Sequence, residues 1–293
     1  MTLKPYLQLT RPANLVTAVA DVLAGVAIAG IALEAVPINY GSVALLMLAT
    51  VGLYGGGVVF NDVFDADLDA VERPERPIPS GRVTRAGAAW LGSILLGIGI
   101  FSAFSHSILS GSLAVSIAGL ALVYDRFGKH HPIIGPVNMG TCRGVNLLLG
   151  VSIIEIAVLD WWWLGFIPVV YIAAVTMISR GEVHGGNPKT LYGAGVMYAL
   201  VSGAQLWLAA RAGTLFLTLP FVALHGYLIF KPLFSAIQNP IGPNIGKAVK
   251  SGVLALIVMD AAWVGVAGNW PLALIVLLLL PLSMGLARLF AVT

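Results

Sequence analysis

Charged residues and cysteine are scarce in this 293-residue sequence. Lysine, arginine, aspartate and glutamate make up 10% of it, against about a quarter in soluble domains. The single cysteine, Cys142, excludes an internal disulfide framework and a cysteine-based metal site. No polar, proline-rich or charge-rich linker divides the chain. Because 58% of the residues are hydrophobic, the composition excludes an ordinary soluble protein and predicts one membrane domain over residues 1–293.

Long apolar runs follow one another along the chain. A helix needs about 20 mostly apolar residues to cross the hydrocarbon core, where no water satisfies backbone groups. The runs therefore predict an all-α integral membrane protein, a bundle of about nine to ten transmembrane helices. We place the spans near residues 13–33, 41–60, 86–106, 108–124, 133–158, 162–180, 191–210, 214–230, 247–267 and 271–290. The connection at His106 and the last pair of spans decide between nine and ten.

The basic residues test this arrangement, because cytoplasmic loops of membrane proteins are enriched in lysine and arginine. With the N-terminus in the cytoplasm, every basic residue except Arg143 and Arg211 falls on the cytoplasmic side. The net charge of +3 therefore reflects topology and does not indicate a nucleic-acid partner. We predict a multi-pass protein of a bacterial inner or cell membrane, surrounded by membrane lipid.

Acidic residues are concentrated where the second span reaches the cytoplasmic interface. On a helix, Asn61, Asp62, Asp65 and Asp69 share one face, whereas Asp67 points away. Three carboxylates on one face repel one another, and a bound divalent cation would neutralise them. Hard oxygen ligands suit Mg²⁺, which completes its shell with water and substrate phosphates. The four residues on the shared face are therefore predicted magnesium ligands, with a solvated acidic loop as the alternative.

An arginine-containing segment follows this acidic face, and in it Arg76 can reach the same phosphate anion. The pattern NDxxDxxxD followed by RPxPSG, at residues 61–69 and 76–81, resembles the first motif of the UbiA-type prenyltransferases. Further segments similar to that family lie at residues 11–14, 239–240 and 246–247.

The resemblance covers about residues 8–265, so the span near residues 271–290 looks like an addition to the family's nine. The chain is especially similar to the EboC-like bacterial branch. The resemblance implies a helical bundle around a central cavity, with a prenyl diphosphate as partner and Mg²⁺ as cofactor. It also implies two aspartate motifs that face each other across the diphosphate. Asn14, in the first of the further segments, is then a substrate-binding candidate.

The second motif of the family falls at residues 179–189, where this chain departs from the pattern. Only Glu182 supplies a carboxylate there. Asn187 could add a carbonyl oxygen to a metal site, and Arg180 and Lys189 could bind phosphate directly. We therefore expect Glu182 and Asn187 as weaker metal ligands and Arg180 and Lys189 as substrate-binding residues.

A third cluster follows the fourth span. Tyr124 and Lys129 are similar to a Tyr and Lys pair of the family, with a spacing that is one residue longer. The resemblance makes Tyr124 a substrate-binding candidate and Lys129 a clamp on the diphosphate. Asp125 could serve the same site, or it could pair with Arg126 or Lys129 at the interface.

Three polar residues, Asn138, Arg143 and Asn146, interrupt the predicted fifth span. An intramembrane arginine costs at least about 3 kcal/mol unless it faces a cavity or a partner. We expect Arg143 to line the cavity and Asn138 to bind substrate. Asp21 and Asp260 are also intramembrane, and either could pair with Arg143, serve the acceptor or join helices by hydrogen bonds.

These residues together predict a membrane prenyltransferase whose site faces the cytoplasm. Asp62, Asp65, Lys129 and Arg143 are the catalytic candidates. The acceptor is not identified, and an aromatic compound is one candidate. A non-catalytic protein that binds or transports prenyl lipids is the alternative, because the second motif is degraded. An ion channel is disfavoured, since the acidic residues lie at one membrane face and not at mid-depth.

Overall fold

The helical character of the chain is confirmed by a computed structural model that describes residues 3–32, 39–128, 131–182 and 185–290. Within these ranges every regular element is a helix. The α-helices are α1 (Leu3–Leu9), α2 (Pro12–Ala32), α3 (Tyr40–Phe64), α4 (Ala66–Glu72), α5 (Arg85–His106), α6 (Ile108–Val123), α7 (Ile134–Val151), α8 (Glu155–Trp161), α9 (Phe166–Ser179), α10 (Pro188–Arg211), α11 (Leu215–Gln238), α12 (Gly242–Val266) and α13 (Trp270–Phe290).

Nine segments in the described part of the chain are long and apolar enough to cross a membrane. A tenth long helix, α7, has 18 residues and a lower hydropathy because of Asn138, Arg143 and Asn146. It packs against α2, α6 and α9 and so lies among the spanning helices. The predicted bundle of nine to ten spans is confirmed, and α7 occupies the place of the fifth.

The predicted boundary between the fifth and sixth spans is wrong. We placed these spans at residues 133–158 and 162–180, but α7 ends at Val151 and α8 begins at Glu155. Between them the chain makes tight turns, in which the Ile154 N–H donates to the Val151 carbonyl at 3.2 Å. Such short-range bonds end a helix early, and an apolar sequence gives no warning of them.

The predicted end of the eighth span is also wrong. We placed it at residue 230, before Lys231 and Pro232, but α11 continues through Pro232 to Gln238. Proline removes one backbone hydrogen bond and usually kinks a helix. In membrane helices the freed groups find other partners, so the helix continues.

The long helices pack in chain order, from α2 and α3 through α5, α6, α7, α9, α10, α11 and α12 to α13, which closes the ring on α2. Among the spanning segments α2 and α12 are the most buried, and they contact each other in the interior. On α13, Ser283 Oγ donates to the Ala13 carbonyl of α2 at 2.8 Å. The start of α2 is therefore held by the last helix.

Glycine allows α2 and α7 to approach closely at their crossing. A Cβ atom on Gly25 would collide with the Leu147 carbonyl, and one on Gly150 would collide with the Val22 carbonyl. Small residues commonly permit such contacts between membrane helices. The crossing brings Asp21, which precedes Val22, beside Arg143 of α7.

Candidate active site

A cavity of about 360 Å³ lies among α2, α3, α6, α7, α9 and α12. Its lining changes with depth along these helices. Polar residues near the aspartate motif form its mouth, apolar side chains such as Leu53, Ile117 and Leu256 line its middle, and a second polar group forms its floor. The mouth consists of Arg11, Asn14, Asn61, Tyr124 and Asp125, and the floor of Thr17, Asp21, Thr50, Arg143 and Asn146.

The aspartate motif spans a break between two helices. α3 ends at Phe64 and α4 begins at Ala66, with Asp65 between them. The helical hydrogen-bond spacing nevertheless persists, because the Asp65 N–H donates to the Asn61 carbonyl at 3.0 Å and the Asp69 N–H to the Asp65 carbonyl at 2.8 Å. The face predicted from helical geometry is thereby kept across the break.

The orientation predicted for Asp67 is confirmed. Its side chain is exposed and pairs with Arg85, with 3.1 Å between Arg85 Nη1 and Asp67 Oδ2. Asp62 and Asp69 are buried on the other side of the motif. Asp65 is half-buried between them.

Two arginines neutralise the buried carboxylates. Arg76 Nη1 lies 2.7 Å from Asp69 Oδ2 and 3.4 Å from Asp62 Oδ1, and Arg11 Nη2 lies 2.7 Å from Asp62 Oδ1. The expectation that a cation must relieve the repulsion is thus too simple, because guanidinium groups do so here. No three histidine, cysteine, aspartate or glutamate side chains in the described ranges converge as a preformed metal site.

The donor set still fits magnesium. The carboxylates of Asp62, Asp65 and Asp69 and the amide oxygen of Asn61 are hard oxygen ligands of the kind that Mg²⁺ takes. Two of these carboxylates are held by arginine, which binds phosphate as well as carboxylate. An incoming diphosphate would therefore compete for the arginines and release carboxylate oxygens to the metal.

Arg11 is a site residue that the sequence reasoning placed only on the cytoplasmic side. It joins α1 to α2 with a φ of 45°, a left-handed conformation that is costly for any residue with a Cβ atom. This conformation directs the chain so that Arg11 reaches Asp62 and lines the mouth beside Asn14. The signal in the sequence was the segment at residues 11–14, which resembles the family.

Asn61 and Asp125 connect two walls of the mouth. Asn61 Nδ2 donates to Asp125 Oδ1 at 2.9 Å, and Asp125 is buried. Asp125 therefore faces the cavity, which is one of the two alternatives left open by the sequence. It lies with Tyr124 in a π-helical turn, Tyr124–Gly128.

This π-helical turn accounts for the unusual spacing of the third cluster. A π turn holds one more residue than an α turn, and such turns often occur at functional sites. Lys129 itself lies outside the described residues, so its role as a diphosphate clamp stays a prediction.

The second cluster is not brought into the cavity by the part of the chain that the structure describes. Arg180 donates to the Pro132 carbonyl. Asn187 caps α10, and its side-chain oxygen accepts from the Lys189 N–H at 2.9 Å. Glu182 is exposed and lies beside Gly246 of α12. The carbonyl oxygen expected to bind metal is thus already used for capping, and the roles of these residues stay predictions.

Arg143 lines the cavity, as we expected from the cost of placing an arginine within the membrane, and its partner is Asp21. Arg143 Nη1 donates to Asp21 Oδ1 at 3.0 Å, and Arg143 Nη2 donates to Thr17 Oγ1. Asn146 Nδ2 donates to Asp21 Oδ2 at 3.1 Å, and Thr50 Oγ1 donates to Asn146 Oδ1 at 2.6 Å. The floor is therefore a hydrogen-bonded network shared by α2, α3 and α7.

The positions of Arg143, Asn138 and Asp260 change the expectations for them. Arg143 lies at the floor, where it pairs with Asp21 and not with the aspartate motif, so its position does not support contact with a diphosphate. Asn138 is buried, accepts a weak bond from Cys142 Sγ at 3.5 Å and does not line the cavity. Asp260 is buried beside Asp21 and Arg143 and does not line the cavity.

Comparison with known proteins gives one family match. Residues 22–240 match the model described as the UbiA prenyltransferase family. The digeranylgeranylglyceryl phosphate synthase of Methanosarcina mazei is 37% identical over 109 residues, which are 37% of this chain and 38% of that protein. The enzyme of the same name from Methanothermobacter thermautotrophicus is 32% identical over 148 residues, half of each chain. The chain thus spans half or less of the length of these two relatives.

A longer match and two solved structures extend the comparison. The digeranylgeranylglyceryl phosphate synthase of Ignicoccus hospitalis is 31% identical over 261 residues, which are 81% of this chain and 82% of that protein. An apo structure of a UbiA homologue from Aeropyrum pernix K1 has a TM-score of 0.68 at 17% identity and covers 85% of this chain and 96% of its own. A UbiA homologue from Archaeoglobus fulgidus bound to GPP and Mg²⁺ has a TM-score of 0.61 at 13% identity and covers 86% and 99%. At these identities the two structures show the fold.

Proposed function

Because the chain belongs to the UbiA prenyltransferase family, we propose that it is a membrane enzyme that transfers a prenyl group from a prenyl diphosphate to an acceptor. One observation carries the proposal: Arg76 bridges Asp62 and Asp69, and Arg11 both pairs with Asp62 and lines the mouth of a cavity with an apolar middle. This arrangement offers hard oxygen ligands and phosphate-binding cations at one end, and a place for a hydrocarbon tail behind them.

Asp62, Asp65 and Asp69, with Asn61, would hold Mg²⁺ in this site. When bound, the ion supplies positive charge that favours departure of the diphosphate. Arg76 and Arg11 donate charge-assisted hydrogen bonds to the diphosphate oxygens in place of their present carboxylate partners. These bonds stabilise the negative charge that grows on the diphosphate as the bond to the allylic carbon breaks.

The middle of the cavity holds the prenyl tail. Leu53 of α3, Ile117 of α6 and Leu256 of α12 present apolar side chains there, and burial of the tail against them is favourable by about 25 cal/mol per Å². The same side chains exclude water, which would otherwise capture the allylic cation before the acceptor does. The apolar middle of the cavity therefore both anchors the donor through its tail and keeps water away from the allylic cation.

The acceptor we propose is the hydroxyl group of a glycerophosphate-type lipid. The support is the name of the curated relatives, which make digeranylgeranylglyceryl phosphate. In this reaction the hydroxyl oxygen forms a bond to the allylic carbon, the bond from that carbon to the diphosphate breaks, and the hydroxyl proton is released. The relatives thus favour an alcohol over the aromatic acceptor considered from the sequence.

The membrane orientation and the closer relationships of the chain are part of the proposal. We propose that the mouth faces the cytoplasm, because the basic residues cluster on that side. Membership of the EboC-like bacterial branch stays a prediction, and the relatives reported above are archaeal. We further propose that α13 is an addition to the nine helices of the family core.

The experiment is measurement of diphosphate release by the purified protein in lipid nanodiscs. Farnesyl or geranylgeranyl diphosphate is supplied with a geranylgeranylglyceryl phosphate acceptor, with and without Mg²⁺. We expect release that requires both metal and acceptor, and that is lost in Asp62→Asn. The matched control is Asp67→Asn, which changes the same residue type in the same motif on its exposed face and should retain activity.

The same experiment distinguishes the alternative of a non-catalytic prenyl-lipid carrier. In that case prenyl thiodiphosphates would bind with Mg²⁺, and no acceptor would cause release of diphosphate from the natural donors. Equal loss of activity in Asp67→Asn and Asp62→Asn would contradict the site as described.

A further inference from the structure

The floor of the cavity carries polar groups that a hydrocarbon tail does not need. Asp21, Thr50, Arg143 and Asn146 are each buried, and their side chains satisfy one another. Ionisable residues at this depth are costly and rarely lack a functional reason. On the basis of the proposed function, we propose that this polar floor limits the length of prenyl tail that the cavity accepts.

The distance from mouth to floor sets the scale of this limit. On α3 the mouth residue Asn61 and the floor residue Thr50 are separated by eleven positions, and on α2 Asp21 lies seven positions beyond the mouth residue Asn14. At about 1.5 Å per residue, the floor lies roughly 11–17 Å below the mouth. With single bonds of about 1.5 Å in a zigzag, an extended isoprene unit advances by about 5 Å, so roughly two to three units reach the floor.

The chemistry of the floor makes it an end wall for the tail. A longer tail would press methyl groups against the Arg143–Asp21 ion pair and cover the 9% of the Arg143 side chain that is still exposed. Removing water from a buried ion pair without new hydrogen bonds is unfavourable. An apolar floor of the same shape would instead gain from contact with the tail. Longer tails must therefore bind more weakly or leave the cavity sideways.

Two other roles for the network make different predictions. If it only joins α2, α3 and α7, its removal lowers thermal stability and leaves the preference for tail length unchanged. If it binds the polar part of an acceptor, its removal weakens acceptor binding and again leaves the preference unchanged. Tail-length preference is thus the readout that separates these roles.

The test compares Mg²⁺-dependent binding of geranyl, farnesyl, geranylgeranyl and hexaprenyl thiodiphosphate to the protein in nanodiscs. We expect affinity in the wild type to fall at least about tenfold from farnesyl to hexaprenyl, because the longer tail meets the floor. In the double variant Asp21→Leu/Arg143→Met both charges are removed together, so that neither is left buried and unpaired. There the fall should shrink to about threefold or less.

The control is Gln205→Met, which removes a buried polar side chain that bonds to the Met259 carbonyl and does not line the cavity. It should keep the wild-type discrimination. Thr50→Val, which keeps the side-chain shape, provides a milder variant if the double variant does not fold, and should reduce the discrimination measurably.

Several outcomes would overturn the proposal. Equal affinity for all tails in the wild type, or unchanged discrimination in a folded double variant or in Thr50→Val, would show that the floor is not the limit. Failure of every thiodiphosphate to bind would overturn the proposed function and this inference with it. Length-independent binding would overturn the inference alone.

Discussion

Replacing Arg76 should strengthen binding of Mg²⁺ alone and weaken binding of the prenyl diphosphate. Arg76 holds carboxylates that the metal would need, and it would itself bind the diphosphate. Its side chain is 12% exposed and bridges Asp62 and Asp69, whose side chains are 8% and 6% exposed. Arg76→Met removes the positive charge between the two carboxylates and leaves only Arg11, on Asp62, to offset their repulsion. Two like charges about 4 Å apart interact by about 4 kcal/mol at an effective dielectric constant of about 20, part of which a bound Mg²⁺ would recover.

We therefore expect Arg76→Met to bind Mg²⁺ alone more tightly, by about tenfold, which corresponds to about 1.4 kcal/mol. Binding of a prenyl thiodiphosphate at saturating Mg²⁺ should weaken by about 10- to 100-fold, because a hydrogen bond to a charged group is worth about 1.5–3 kcal/mol. In the wild type the arginine competes with the metal, whereas in the ternary complex it binds the anion.

Isothermal titration of Mg²⁺, with and without geranylgeranyl thiodiphosphate, measures both affinities. Arg85→Met is the matched control, because Arg85 pairs with the exposed Asp67 of the same motif. Exposed ion pairs contribute little, so both affinities should remain close to wild type. Weaker binding of Mg²⁺ alone in Arg76→Met would refute the reasoning, since it would mean that Arg76 supports the metal site.

Three further predictions concern other parts of the site. Asn187→Asp should leave Mg²⁺ affinity within about twofold of wild type, because the side-chain oxygen caps α10 and aspartate caps equally well. Tighter Mg²⁺ binding in the same titration would instead support a second metal site. Arg11→Gly should raise thermal stability, because it relieves the left-handed strain, and loss of the ion pair with Asp62 should offset part of that gain. It should also weaken thiodiphosphate binding by about tenfold, and unchanged thiodiphosphate binding would show that Arg11 is not part of the site. In a Cys142→Ala background, cysteines placed at Glu75 and Glu182 should react with a membrane-impermeant reagent only from the cytoplasmic side, and a cysteine placed at Gly213 only from the opposite side of the membrane. Labelling of all three cysteines from one side would contradict the topology.

The spans could be predicted because hydrophobicity and length decide them almost alone. The connection at His106 and the start of α13 at Trp270 were both found from the sequence. α7 was also predicted. Its polar residues lower its hydropathy, but they stand in a run that is otherwise apolar. The early end of α7 at Val151 could not be predicted, since it depends on tight backbone turns within an apolar segment.

The candidate site could be predicted only in part. Helical geometry separated Asp67 from Asp62 and Asp69, because the helical hydrogen-bond spacing continues from α3 into α4. The positions of Arg11 and Arg76 over these acids depend on how loops from other parts of the chain pack, and no periodicity in the sequence encodes that. The capping role of Asn187 could not be predicted either. It depends on a local hydrogen bond that composition does not show, and that bond uses the oxygen that metal binding would need.

The hydrogen bond between Ser283 and Ala13 also has a consequence for the making of the protein in the cell. These residues are 270 positions apart, and at about 5–20 residues per second a ribosome needs roughly 15–55 s to synthesise the chain between them. During that time α2, which begins beside Arg11, lacks the neighbours α12 and α13 that bury it in the finished bundle. A nascent chain therefore carries Asp21 in the membrane before its partner Arg143 is made, and α2 reaches its full burial only when the final helix arrives.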